Sequence, residues 1–211
     1  MTIFLILILH IICGFFALFS AFGAIFTAKG KQKHRQFGRF FFYSMTGLFV
    51  TALPLSIIKR NLFLFLIAVF SYYLAFSGWR YAKNRLGQFA KLDVTISAIM
   101  LVISLIMLGV AFYSFNLENF KSVTLLVFGI IGGFFSISDI KIYLYHKAVG
   151  QFRIVKHLSA MLGATIAAIT AFLVTNVKLD PPIILWLGPT VLLTPVIVWW
   201  KNKIQKDQSY S

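Results

Sequence analysis

The chain has 211 residues, 60% hydrophobic and only 12% charged, with a mean hydropathy of +0.89. An average soluble domain carries about 25% charged residues, so lipid must cover much of this apolar surface. The net charge of +15, from 20 Lys and Arg against 5 Asp and Glu, is confined to short gaps between apolar runs; that is the pattern of topogenic charge and argues against a nucleic-acid face.

Crossing a hydrocarbon core about 30 Å thick takes about 20 residues at about 1.5 Å each. Segments 3–28, 40–58, 62–80, 94–115, 122–140, 157–177 and 183–200 qualify. They predict an all-α membrane protein, a bundle of seven transmembrane helices. Residues 1–200 form a single polytopic domain and 201–211 a short cytoplasmic tail.

The first segment has no Lys or Arg before it, and its first positive charge, Lys29, follows the apolar run. A cleaved signal has the opposite order and a shorter core, so a retained first helix is expected. Cys13 falls inside this run as a packing residue. Between the first two spans lies the cationic stretch AKGKQKHRQFGRF, residues 28–40. Pro54, Pro189 and Pro195 fall within spans and are expected to kink them unless neighbours compensate. Gly129 and Gly133 make a small-xxx-small pair in the fifth span, and Ala160, Ala164, Ala167 and Ala171 line one face of the sixth.

Alternate gaps collect sixteen Lys and Arg on one side and four on the other. The rich side is expected to be cytoplasmic, which puts the N-terminus outside and the C-terminus inside. Trp79, Tyr81, Tyr143, Tyr145, Trp199 and Trp200 fall where the spans leave the bilayer on that side, at the headgroup level that amphipathic rings prefer. A loose echo links the hairpin of spans one and two with that of spans five and six, each with a basic loop followed by an apolar span; shared membrane composition is enough to account for it.

Ionisable residues in or beside spans are the informative ones, because their burial is costly. His10 lies in the outer half of the first span. His34, Asp139, His146 and His157 all belong to the cytoplasmic side. Neutral imidazole is the commonest metal ligand, and a carboxylate ligates or orients it. His34 and His157 are therefore candidate metal or haem ligands, with Asp139 as a third ligand or in support of them. The competing reading has the histidines bonded to headgroups or water, and Asp139 paired with Lys141 or a neighbouring Arg. A haem held by two histidines needs both at one depth on facing helices, which His10 does not satisfy with either. No G-x-S-x-G, H-E-x-x-H or Walker sequence is present. The middles of the spans hold no Asp, Glu, Lys or Arg, which argues against a pump or a carrier of charged substrates.

The spanning His10, the AKGKQKHRQFGR loop, YLAFSGWRYAKNR at 73–85 and SDIK around Asp139 form one set of features. KHLSAMLGATIAAITAFLV at 156–174 and the PPIILWLGPT segment ending at Thr190 complete it. In these the chain resembles an uncharacterised bacterial family of multi-pass membrane proteins, catalogued only as a domain of unknown function. The resemblance covers almost the whole chain; its more specific part is the Lys-Gly-x-x-x-His loop combined with a late His-x-x-x-Met span. It implies a compact bundle in a bacterial cytoplasmic membrane and draws attention to His34, Asp139 and His157. It supplies no activity. The family often has Arg before the Met of the late span, where this chain has Ala160, so no anion-binding role carries over to that turn.

The sequence therefore leads to a non-catalytic bundle in the lipid bilayer that binds a small ligand, lipid or protein partner through its cytoplasmic rim. A haem- or metal-binding redox protein using His34 and His157 is the first alternative, and a small transporter of a neutral substrate the second.

Overall fold

A computed structural model describes residues 2–116, 118–145 and 148–206. Its described residues form seven helices: α1 (Thr2–Phe26), α2 (Gln32–Ile58), α3 (Leu62–Lys83), α4 (Lys91–Tyr113), α5 (Phe120–Tyr145), α6 (Gly150–Asn176) and α7 (Ile183–Lys206). All seven are long and apolar enough to cross a membrane. The regular structure of the described residues is thus all helical, which suits a multi-pass membrane protein, since a helix satisfies its own backbone in lipid.

Several helices outrun the apolar segments. α2 begins at Gln32, so the second half of the cationic stretch is helix instead of loop. Lys33, Arg35 and Arg39 lie on its exposed surface while His34 and Phe37 turn inward. Apolar length measures the bilayer, whereas a helix continues beyond it for as long as one face has something to pack on. α7 likewise runs through Lys206, which makes helix of the first six residues of the expected tail. α2 continues as one helix through Pro54, and α7 through Pro189 and Pro195.

α3 is the hub. Half of its span is buried, against 6% of α1 and 11% of α7. Its first turn is capped by Asn61, whose side chain accepts from the Leu64 N–H at 3.1 Å. α1, α2, α3 and α6 close a four-helix ring in which each packs on the next, and α2 and α6 face one another across it without packing together. The α4–α5 hairpin covers the other side of α3, and α7 lies along α5 and α6. Outward faces carry residues such as Ile11, Phe15, Leu105 and Leu192, as a lipid-facing surface should.

Small residues set the interhelical distances. The α4–α5 approach is closest at Gly129 and Gly132: a Cβ at Gly132 would stand 2.5 Å from Met100 Cε. Gly133, the sequence-level partner of Gly129, is in ordinary contact at 3.7 Å from Ser104 Cβ. On α6, Ala160, Ala164 and Ala167 are buried as the pattern predicts, while Ala171 is exposed.

Gly78 sets how closely α6 approaches the hub. A Cβ there would meet Met161 Cγ at 2.7 Å and the Met161 backbone nitrogen at 3.0 Å, so α6 lies against bare α3 backbone. Because backbone is part of the contact, a side-chain rotation cannot relieve it. Gly78→Ala should separate α3 from α6 and cost about 1–3 kcal/mol, read as a lower melting midpoint in detergent. At Gly14, where an added Cβ meets only Leu48 Cδ2 at 3.7 Å, alanine should leave the midpoint near that of the parent.

Candidate functional site

The second half of α3 reads YLAFSGWRYAK. Tyr73, Ser77 and Tyr81 recur every four residues and so line one face. That face meets Asp139 of α5, which is fully buried. Tyr73 donates its hydroxyl to Oδ2 at 2.8 Å, Ser77 donates to the same oxygen at 2.6 Å, and Tyr81 donates to Oδ1 at 2.8 Å. Lys156 of α6 stands 3.5 Å from Oδ1 and donates to Ser138 at 2.6 Å. An ionised carboxylate only accepts, and four donors occupy its lone pairs.

Neighbouring residues of α3 hold two more helices. Arg80 grips Asp93 of α4 with both arms of its guanidinium, Nη2 to Oδ2 at 2.7 Å and Nε to Oδ1. Asp93 also accepts from the Ala90 N–H at 2.8 Å, capping α4. Arg153 of α6 donates to the Tyr81 and Ala82 carbonyls at 2.6 and 3.1 Å, which covers carbonyls that the end of α3 leaves free.

The histidines use the same device. His157 of α6 donates Nδ1–H to the Gly78 carbonyl of α3 at 2.8 Å, and His34 of α2 donates to the Ala24 carbonyl of α1 at 3.0 Å. A carbonyl cannot donate, so Nδ1 carries the proton in each ring and the neutral imidazole keeps its lone pair on Nε2. The two rings face each other across the four-helix ring, centroids 6.4 Å apart and planes at 89°. Each helix of that ring contributes: two supply an imidazole, and the other two supply the carbonyl that orients it. Beside the pair, Lys29 caps the end of α1 through the Ala24 and Thr27 carbonyls at 3.0 and 3.2 Å and lies 4.8 Å over the Trp200 ring.

Of the residues singled out in the sequence, the structure brings His34 and His157 together. It keeps Asp139 in a separate, fully occupied network, and no group of three His, Cys, Asp or Glu able to hold a metal occurs among the described residues. Asp139 pairs with Lys156 and not with Lys141, which is exposed. His10 bonds to Thr51 Oγ1 at 2.9 Å, away from the pair. His146 lies outside the described residues. Tyr81, expected at the headgroups, is fully buried on Asp139 instead. Tyr73 and Ser77 carry no expectation from the sequence, although their four-residue spacing with Tyr81 is a signal that points to one shared face; Gly78 has no signal of its own. The chain matches no family model, no curated protein and no solved structure.

Hydrogen bonds to a charged group contribute about 1.5–3 kcal/mol each. Tyr81→Phe should therefore destabilise the protein by about that much, read from its melting midpoint. Asp139→Asn presents an N–H₂ to hydroxyls that are already donors and leaves Lys156 unbalanced. It should cost about 3–5 kcal/mol, the scale of a broken buried pair. A parent-like midpoint for Asp139→Asn would show that the hydroxyls do not depend on the carboxylate.

Proposed function

We propose that this chain is a multi-pass protein of a bacterial cytoplasmic membrane, like the family it resembles, and that it binds a ligand at the paired imidazoles without catalysing a reaction on it. Its N-terminus is outside and its C-terminus cytoplasmic, a reading supported by the sixteen-to-four bias of Lys and Arg. The pair then sits at the cytoplasmic rim.

One observation carries the reading: the His34 and His157 rings lie side by side with each Nδ1 committed to a backbone carbonyl and no hydrogen bond to either Nε2 among the described residues. The buried carboxylates lack that freedom. Asp139 and Asp93 are held by fixed donors on neighbouring helices and serve the scaffold. A general acid or base must exchange its partner during a reaction, and these two are walled in by theirs. The imidazoles remain as polar groups oriented by the scaffold with a lone pair to offer.

Native mass spectrometry of protein extracted from its own membrane tests this. The parent should carry a non-covalent mass that both His34→Asn and His157→Asn lose, since asparagine keeps an N–H for the carbonyl but has no Nε2. A bare parent chain, or a bound mass that both variants retain, would remove the pair from the function. Orientation is tested separately with reporter fusions at residues 60 and 206, which should report opposite sides, the second cytoplasmic.

A further inference from the structure

We propose that His34 and His157 bind one Cu(I) ion between their Nε2 atoms; this rests on the reading of the pair as the ligand site and names the ligand. Three features lead to it: spacing, tautomer and coordination number.

Metal–imidazole bonds of about 2.0 Å, with each Nε2 about 1.1 Å from its ring centre, put trans-ligated ring centroids about 6.2 Å apart. The observed separation is 6.4 Å. Edge-to-face packing of aromatic rings also occurs in that range, so spacing alone does not decide. The tautomer adds to it. Each ring has committed its N–H to a backbone carbonyl, so no hydrogen bond can join the two. Neither Nε2 has a hydrogen-bond partner among the described residues, so two lone pairs on adjacent rings can share one electrophile, and a carbonyl-anchored Nδ1–H with Nε2 unbonded is the form in which histidine ligates metals.

Coordination number selects the ion. No third His, Cys, Asp or Glu joins the pair among the described residues. Zinc sites take four ligands, or three with water, whereas Cu(I), a d¹⁰ ion, is stable with two nitrogen donors in line. The thioether of Met161 lies one turn beyond His157 and is seated on the same Gly78 that accepts the His157 N–H. Soft thioethers favour Cu(I). A haem between the same nitrogens needs a disc-shaped space, whereas the helices of the ring pack closely at three of their glycines. Met161 packs into Gly78, Phe37 into Gly23, and Leu74 lies 3.2 Å from where a Cβ of Gly163 would be. The ion also brings a single positive charge, the least addition to a rim that already holds Lys29 and Arg153.

The test is anaerobic titration of the detergent-purified chain with Cu(I) in competition with bicinchoninate, followed by X-ray absorption. One Cu(I) per chain is expected, with nitrogen scatterers at about 2.0 Å. His34→Asn and His157→Asn should each weaken binding by more than about 100-fold, beyond the 10–100-fold cost of losing an outer-shell partner; His10→Asn should not change it. Substoichiometric Cu(I), tight binding retained in both variants, or a shell of sulfur alone would overturn the proposal. A Soret band lost in both variants would overturn it in favour of haem. If a variant fails to fold, the parent's absorption spectrum decides by its nitrogen shell. Another bound mass that depends on both histidines would refute copper while leaving the ligand site in place.

Discussion

The carboxylate of Asp139 constrains the rest of the bundle. Removing a carboxylate from water costs several kcal/mol even after the protein relaxes, and at full burial no solvent remains to share that cost. Only fixed donors can offset it, and they come from two helices: three hydroxyls from α3 and an ammonium from α6. In an apolar medium helices gain little from burying one another's apolar faces, because lipid serves as well. The polar knot therefore supplies the register that hydrophobic burial cannot. A slide of α5 by one residue along α3 would take Asp139 off a stripe whose members are four residues apart.

The contacts around the knot extend the same logic. α3 fixes α4 through Arg80 and Asp93, and α6 through Arg153 and His157. Two of these contacts use α3 carbonyls as acceptors, and one of those carbonyls belongs to Gly78, where no Cβ keeps α6 away. The small residue and the polar contact depend on each other: the histidine reaches the carbonyl because α6 lies close, and α6 lies close because position 78 has no side chain.

The seven spans were legible because apolar length is a one-dimensional property that the bilayer thickness converts directly into helix. The depth shared by His34 and His157 was legible for the same reason, through span ends and the distribution of Lys and Arg. The helix ends were not, since Lys33, Arg35 and Arg39 look like loop until His34 and Phe37 are given α1 to pack on. Nor was the fate of Tyr81. An aromatic hydroxyl at a span end suits a headgroup, and only the packing of α5 on α3 reveals a carboxylate waiting for it. The cost of burying Asp139 is legible in the sequence, but its partners on α3 sit 58 to 66 residues away in the chain, beyond the reach of any spacing rule.

The same separation explains why the imidazole pair depends on parts of the molecule that never touch it. His157 is oriented by the Gly78 carbonyl, which sits next to Ser77 and three residues before Tyr81. Both of those side chains are clamped by Asp139. His34 is oriented by Ala24 at the end of α1, which is held from below by Lys29. The two rings thus have independent anchors, one on the rigid hub and one on the lipid-exposed first hairpin. Their relative position is set by two seams, α2 on α3 and α1 on α6, the second being the thinnest contact of the four-helix ring. A ligand held by both Nε2 atoms would close that ring from inside, joining across its diagonal the two helices that otherwise do not pack together.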